Sequence, residues 1–261
     1  MTELMGVVNV TPDSFSDGGL YLDPEAAIAH GRELVEAGAE ILDVGGESTR
    51  PGAEPVGEDE ELRRVVPVIR GLSGSRARIS VDTSKAAVAA AALEAGAEIV
   101  NDVTALRADP DMGALCAERG ATVVLMHMLG EPRTMQEDPR YEDVVADVKA
   151  FLAERLEAAV AAGIAGERVW LDPGIGFGKT GAHNMELLRR LGELRALGRP
   201  LVVGTSRKSF IGKVDGSPAD QRLGGTIASS VLAAADGADV LRVHDVAEMR
   251  QALAVAMAIL G

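Results

Sequence analysis

Aromatic residues and cysteine are scarce in this sequence. Only 3% of its 261 residues are aromatic, so Ala, Val, Leu and Ile must fill the core, which favours parallel strands covered by helices. The single cysteine, Cys116, excludes an intrachain disulfide. It lies in a predicted helix, and we interpret it as a small buried hydrophobic residue rather than a nucleophile.

Positive charge is also in deficit. The chain has 26 Lys and Arg residues against 40 Asp and Glu, a formal net charge of −14. This balance argues against a nucleic-acid partner, because proteins that bind phosphate backbones concentrate Lys and Arg. A local cationic pocket for a phosphate ester is still compatible with it, since salt screens charges beyond about 8 Å.

Long hydrophobic runs are missing as well. No stretch reaches the ~20 apolar residues that a membrane-spanning helix needs. The first residues, MTELM, lack the basic and apolar regions of a signal peptide. We therefore expect a cytoplasmic protein with no membrane partner.

What the sequence does contain is a repeat of strand and helix. Runs of β-branched residues alternate with Ala-, Leu- and Glu-rich stretches of helical periodicity. The predicted strands span 4–10, 40–45, 78–82, 98–103, 122–127, 169–172, 200–204 and 240–244. The predicted helices span 24–37, 58–71, 85–95, 111–119, 141–162, 184–197, 219–236 and 246–260.

The repeat length indicates the fold class. Each unit is about 33 residues long, as expected of a βα unit, and eight such units close a (β/α)8 TIM barrel. We predict a single α/β domain over residues 1–261. An open doubly wound sheet is the alternative, but it normally carries a Gly-rich loop after its first strand, where this chain has VTPDSFSDGG.

Polar residues end almost every predicted strand. In a barrel the carboxyl ends of the strands meet at one face, where active sites form. Any one of these residues could be a structural cap, but together they predict an active site. They are Asn9, Asp43, Asp82, Asn101 with Asp102, His127, Asp172, the run 206–209, and Arg242 with His244.

Two kinds of chemistry are combined in this set. The first suits a flat heterocycle with amino, amide and carbonyl groups, because carboxylates, amides and ammonium groups can pair with its edge; it comprises Asp82, Asn101, Asp172 and Lys208. The second suits a phosphate ester and Mg²⁺; it comprises the cations Arg50, Arg242 and His244 and the oxygen donors Asn9, Asp13 and Asp17.

The Gly-rich segment 172–180, DPGIGFGKT, matches no phosphate-loop pattern. Pro173 stands where a P-loop needs its first Gly, and Lys179 stands where GxGxxG needs its third. Such a turn can bring backbone close to a planar ligand, with Phe177 stacked on it. The alternative is a tight turn with a solvated Lys179. His127 is likewise either a functional residue or a core residue.

The motifs, taken in order, resemble those of the dihydropteroate synthase family. The resemblance covers the chain essentially end to end. The matching segments are MGVVNVTPDSFSDGG from residue 5, GESTRPG from 46, SVDT from 80, NDV from 101, LMHM from 125, DPGIGFGK from 172, SRKS from 206 and RVHD from 242.

The resemblance implies a reaction and a set of site residues. The expected reaction joins 6-hydroxymethyl-7,8-dihydropterin diphosphate to 4-aminobenzoate, gives 7,8-dihydropteroate and pyrophosphate, and depends on Mg²⁺; we expect pyrophosphate to leave before the amine attacks. The family's pterin site falls on Asp82, Asn101, Met126, Asp172, Phe177, Gly204 and Lys208. Its diphosphate site falls on Asn9, Arg50, Arg242 and His244, its 4-aminobenzoate site on Phe15, Thr49, Pro51, Lys208 and Ser209, and its metal ligands on Asn9 and Asp17.

Within that set the expected catalytic residues are Asp82, Lys208, Arg242, His244 and Arg50. The resemblance also implies a homodimer, with the apolar stretch 252–260 as a contact face. Two alternatives are a pterin-binding methyltransferase barrel and an inactive pterin-binding paralogue. The first would have no diphosphate or 4-aminobenzoate to enclose, and the second would have lost Arg242, His244 or the run 49–51, which are all present.

Overall fold

The structure is a computed structural model that describes residues 2–11, 23–48, 54–130 and 134–260. Five of the expected site residues therefore lie outside the described residues: Phe15, Asp17, Thr49, Arg50 and Pro51, together with Asp13. Their roles stay predictions.

Eight parallel strands form the barrel, as predicted. They pair in the order β6-β5-β4-β3-β2-β1-β8-β7. Between the outer strands of this order a single parallel bridge, Leu171 to Leu201, closes the barrel. The strands are β1 (Glu3–Asn9), β2 (Ile41–Gly45), β3 (Arg78–Asp82), β4 (Ile99–Asp102), β5 (Thr122–Met126), β6 (Val169–Asp172), β7 (Val202–Val203) and β8 (Val240–Val243).

Helices follow the strands and cover the outside of the barrel. In the described residues they are α1 (Pro24–Glu36), α2 (Glu58–Leu72), α3 (Ala86–Ala95), α4 (Met112–Arg119), α5 (Val144–Ala161), α6 (Gly181–Arg189), α7 (Ser209–Asp215), α8 (Leu223–Ala235) and α9 (Val246–Leu260). Short 3₁₀ turns span Gly166–Arg168, Leu191–Leu197 and Ala219–Gln221. Cys116 is fully buried in α4, as predicted. None of the described helices is long and apolar enough to cross a membrane.

Two predicted helices differ from the structure by more than three residues at one end. The predicted helix 184–197 ends at Arg189. Gly192, in the 3₁₀ turn that follows, donates its backbone N–H to the Asp236 carboxylate at 2.8 Å. The predicted helix 219–236 becomes regular only from Leu223. Helix α7 was not predicted, since its sequence SFIGKVD is short and contains a glycine.

An apolar layer fills the barrel interior and serves as a floor for the residues above it. Seven strands each contribute one member: Met5, Ile41, Ile99, Val124, Trp170, Val202 and Val240. Side chains in a strand alternate between its two faces, so the residue two positions further along points inward again, one layer higher. That next position is Asp43, Asn101, Met126, Asp172, Gly204 or Arg242 in six of the strands.

Candidate active site

The layer above this floor is centred on Arg242 of β8. Its Nε donates to Asp43 Oδ2 at 2.6 Å, and its Nη2 donates to Asp82 Oδ2 at 2.9 Å. Asp43 is fully buried and also accepts hydrogen bonds from Ser80 Oγ at 2.6 Å and Asn101 Nδ2 at 3.1 Å. Asp43 therefore fixes the positions of both Arg242 and Asn101.

Two carboxylates in this layer share one guanidinium. Burial raises the pKa of Asp82 to about 8, the Asp43 carboxylate adds to the rise, and Arg242 opposes it. Asp82 is only 8% exposed, so little water is available to stabilise its charge. Asp82 can therefore hold or release a proton near neutral pH, as groups in functional sites often can.

Asp172 and Lys208 carry opposite charges nearby and influence each other electrostatically. Burial raises the pKa of Asp172, and the positive charge of Lys208 is the largest effect that opposes the rise. Burial lowers the pKa of Lys208 to about 8, in spite of Asp172. The Asp172 carboxylate accepts the Gly174 backbone N–H at 2.6 Å, which fixes its orientation at the end of β6.

Lys208 and Phe177 lie against each other. The Lys208 ammonium is 4.8 Å from the centre of the Phe177 ring and donates to the Ile175 carbonyl. A Cβ atom added at Gly204 would lie 3.7 Å from Lys208 Nζ and 3.6 Å from Arg242 Cβ. Gly204 thus lies between Lys208 and Arg242, and a side chain at this position would contact both.

An apolar wall borders these charges. Met126 is 3% exposed and packs with Val103, Met128 and Met135, and half-buried Phe177 packs against the same cluster. A wall of methionine and phenylalanine side chains can cover the face of a planar ligand whose edge meets the polar groups.

The turn after β7 presents Ser206 and Lys208. Ser206 Oγ lies 2.9 Å from Nδ1 of His244. Arg207 has a left-handed backbone, with φ 57°, and its guanidinium pairs with Asp245 at 2.5 Å. This pairing directs Arg207 away from Lys208, the residue that precedes α7. Ser209 opens α7 and is exposed.

Asn9 reaches the same face from β1. It is paired in register with Gly45, and Gly45 in turn with Asp82. Within the described ranges no group of three or more His, Cys, Asp or Glu side chains is arranged to hold a metal ion. The expected metal site at Asn9 and Asp17 therefore stays a prediction.

Two polar strand-end residues do not join the layer. Asp102 accepts the backbone N–H groups of Thr104 and Leu106, each at 2.8 Å, and so caps a turn. His127 lies 2.8 Å from the ammonium of Lys179. Strand alternation explains both cases, because Asp102 and His127 directly follow the inward residues Asn101 and Met126.

The interpretation of Lys179 as a solvated residue is wrong, since it is 2% exposed. Asp43, which lies in the middle of β2, had no predicted role beyond its place among the polar strand residues. Its place two residues after Ile41 puts it on the same face of the strand, but its partners Ser80, Asn101 and Arg242 come from three other strands and are not visible in the sequence.

This chain is similar in sequence to a known protein family and to characterised proteins. The model of a family described as pterin binding enzyme matches residues 5–244. Dihydropteroate synthase of Escherichia coli K12 is 48% identical over 99% of this chain and 92% of its own length. A probable bifunctional folylpolyglutamate synthase/dihydropteroate synthase of Haloferax volcanii is 51% identical over 98% of this chain, which spans 30% of that longer protein.

Solved structures have the same fold. Dihydropteroate synthase of Yersinia pestis, in complex with a sulfonamide drug, superimposes with a TM-score of 0.96 at 46% identity, over 99% of this chain and 94% of that one. The Xanthomonas albilineans enzyme in complex with 7,8-dihydropteroate superimposes with a TM-score of 0.89 at 47% identity, over 100% of this chain and 94% of that one.

Proposed function

We propose how this chain binds its substrates and performs its reaction. The chain belongs to the family of pterin-binding enzymes and is a transferase of the dihydropteroate synthase type. One observation carries the proposal: polar and charged side chains converge directly above an apolar floor. These side chains are Asp82, Asn101, Asp172, Lys208 and Arg242. A polar edge above an apolar base fits a flat ring that has hydrogen-bonding groups only along its rim.

The pterin lies in this layer. The carboxylates of Asp82 and Asp172 accept hydrogen bonds from its amino and ring N–H groups, and Asn101 and Lys208 donate to its carbonyl and ring nitrogens. Met126 and Phe177 cover its face, and the empty side-chain position at Gly204 leaves room for it. The Asp82 carboxylate is the form that accepts, so pterin binding favours its ionisation.

The diphosphate lies toward Arg242 and His244. The bond between the exocyclic methylene carbon and the diphosphate oxygen breaks first, and its electron pair leaves with pyrophosphate. Asp82 and Asp172 then stabilise the cation that is delocalised over the dihydropterin ring, while Arg242 and His244 stabilise the departing anion. The amine of 4-aminobenzoate attacks the methylene carbon, forms the C–N bond and loses a proton.

Mg²⁺ fits this site only together with the substrate. Asn9 offers an amide oxygen, and Asp17 is expected to add a carboxylate. Both oxygens of Asp43 already accept hydrogen bonds from Arg242, Ser80 and Asn101, so Asp43 is not available as a ligand. Mg²⁺ commonly binds through one or two protein groups plus substrate phosphates. When bound, it would neutralise charge on the leaving diphosphate.

4-Aminobenzoate is expected beside Lys208 and Ser209. An ammonium and a hydroxyl at the start of α7 suit a carboxylate ligand. This part of the proposal is completed by residues that follow β1 and β2 in the sequence: Phe15, Thr49, Pro51 and Arg50, which is also expected to contact diphosphate.

The active form is proposed to be a cytoplasmic homodimer. Helices α8 and α9 pack together, and they expose Leu232 at 67%, Val255 at 56% and Ile259 at 78%. Burial of these side chains against a second copy would remove apolar surface from water. Light scattering should give a dimer for the wild type and a monomer for Leu232→Glu; a monomeric wild type would contradict the proposal.

Product formation tests the proposed reaction. The purified protein is incubated with the dihydropterin diphosphate, 4-aminobenzoate and Mg²⁺, and dihydropteroate and pyrophosphate are measured separately. Equal amounts of both products are expected. Pterin binding without either product would favour the inactive paralogue, and pyrophosphate without dihydropteroate would indicate hydrolysis instead of transfer.

A further inference from the structure

The segment between β6 and α6, residues 173–180, carries three groups that the proposed pterin site needs. Its Gly174 N–H orients Asp172, its Ile175 carbonyl accepts from Lys208, and its Phe177 ring faces the Lys208 ammonium. We call residues 173–178 the glycine loop. Gly174, Gly176 and Gly178 all have positive φ, between 59° and 87°, so the loop has a conformation that other residues disfavour.

The glycine loop passes very close to the end of β5. A Cβ atom at Gly174 would lie 1.9 Å from the His127 carbonyl oxygen, which leaves no space for any side chain. Beyond the loop, Lys179 turns back and inserts its side chain beneath it. The ammonium of Lys179 is thus enclosed between the loop and β5.

Lys179 satisfies three close acceptors at once. Its Nζ donates to the carbonyls of Gly174 at 3.0 Å and Phe177 at 2.9 Å, and lies 2.8 Å from Nδ1 of His127. An ammonium group has three N–H donors, so the number of donors matches the number of these acceptors. Two of the bonds hold the two ends of the glycine loop, and the third ties it to β5, where the His127 carbonyl adds a longer contact of 3.4 Å.

His127 is suited to accept from Lys179. Burial and the adjacent Lys179 charge lower the pKa of His127 to about 3, so its ring is neutral and one nitrogen is free to accept. The ring is also held by an edge-to-face contact with Phe151, with centroids 4.8 Å apart. His127 thus gives the Lys179 ammonium a rigid partner.

Burial of Lys179 is costly. Its hydrogen-bond partners are backbone carbonyls and an imidazole rather than a carboxylate. Burial lowers the pKa of Lys179 well below its ordinary value, although Asp172 opposes this. A methionine would fill similar volume without that cost. The lysine is the better residue only if the loop geometry that it fixes is needed.

We propose that Lys179 is a positioning residue for pterin binding, which acts with His127 through the glycine loop on Asp172, Phe177 and Lys208. Lys179 itself does not touch the substrate. This inference rests on the proposed function, since the affected ligand is the pterin. The proposed effect is confined to pterin binding, whereas a residue that only stabilised the fold would affect the binding of both ligands.

The test compares Lys179→Met with Lys213→Met, a matched control on an exposed lysine of α7. Calorimetry measures affinity for the dihydropterin diphosphate and for pyrophosphate alone, and hydrogen exchange measures protection of residues 173–178. For Lys179→Met we expect pterin affinity to fall about tenfold or more, pyrophosphate affinity to change less than about twofold, and exchange in the loop to rise. Lys213→Met should match the wild type in all three.

Three outcomes overturn the inference. These are unchanged pterin affinity in Lys179→Met, an equal loss of affinity for both ligands in a folded variant, and unchanged loop exchange. If Lys179→Met does not fold, His127→Leu removes one of the three acceptors and must weaken pterin binding in the same selective way. If the wild-type protein binds no pterin, the proposed function is contradicted instead. Hydrogen exchange of residues 173–178 in Lys179→Met still tests whether Lys179 stabilises the glycine loop.

Discussion

The two ends of the barrel both contain arginines on strands, but the arginines are matched differently. At the amino end Arg78 of β3 pairs with one carboxylate, Glu3, at 2.6 Å and lies 5.2 Å above the Trp170 ring. At the carboxyl end Arg242 of β8 pairs with two carboxylates, Asp43 and Asp82. Arg78 and Glu3 are matched one to one, whereas Arg242 is shared by two carboxylates, one more than its single charge can neutralise.

Exposure sharpens the contrast. The Arg78 and Glu3 side chains are 35% and 39% exposed, so water already screens them, while the Asp43 and Asp82 side chains are 0% and 9% exposed. A half-exposed matched pair contributes only about 0–1 kcal/mol to stability. A buried carboxylate that shares its arginine with a second carboxylate, as Asp82 does, has a raised pKa and gains from a ligand that donates to it. The difference therefore points to the carboxyl end as the place where substrate binds.

Removal of Asp82, the carboxylate with the raised pKa, should have the largest effect. Asp82→Ala deletes an acceptor of ring N–H groups, so we expect pterin affinity to fall about a hundredfold or more, from two lost charge-assisted hydrogen bonds. Pyrophosphate affinity should stay within about threefold. Normal pterin affinity by calorimetry would mean that Asp82 lies outside the pterin site.

The next effect concerns the leaving group. His244→Ala removes a donor that acts mainly as charge develops on the diphosphate, so turnover should fall by about ten- to a hundredfold. Pterin affinity should change much less. Steady-state kinetics beside calorimetry separates the two, and an unchanged turnover number would rule out the leaving-group role.

Ionisation of Asp82 should also make the free energy of unfolding depend on pH. Its pKa in the folded protein is raised from 3.8 to about 8, so the folded state binds the proton more tightly than the unfolded state. Stability should therefore fall as pH rises from about 4 to 8. Asp82→Asn should flatten that fall and stabilise the protein at pH 8 by roughly 1–3 kcal/mol, while it weakens pterin binding.

Urea unfolding at pH 5 and pH 8 measures this effect. Arg242 can still donate to the side-chain amide oxygen that this substitution introduces, so the packing around the guanidinium is preserved. A variant whose stability falls with pH as steeply as that of the wild type would show that another group accounts for the slope.

The smallest effect is expected at the amino end. Arg78→Met breaks the pair with Glu3 but keeps much of the apolar contact with Trp170, so the free energy of unfolding should fall by about 1 kcal/mol or less. The turnover number and both substrate affinities should stay within about twofold. A large kinetic effect would show that the two ends are coupled.

Sequence reasoning found the barrel because strand and helix periodicities repeat locally. It also found most of the upper layer, since a polar residue at the end of an apolar strand is visible without a structure. Strand position alone did not separate neighbouring residues, because the inward face depends on the register between strands. Asn101 was preferred to Asp102 for its chemistry, and Met126 entered the predicted site only through the family resemblance. Asp43 and Lys179 act through their neighbours, and such roles appear only when the hydrogen-bond partners are known.

A paired measurement of product formation tests the central claim, that charge at the carboxyl end performs the chemistry and charge at the amino end supports the fold. Arg242→Met and Arg78→Met each remove one guanidinium from a barrel strand. The account predicts that Arg242→Met lowers the rate of dihydropteroate formation by about a hundredfold or more, while Arg78→Met stays within about twofold of the wild type. Comparable losses in the two variants, with both proteins folded, would contradict it.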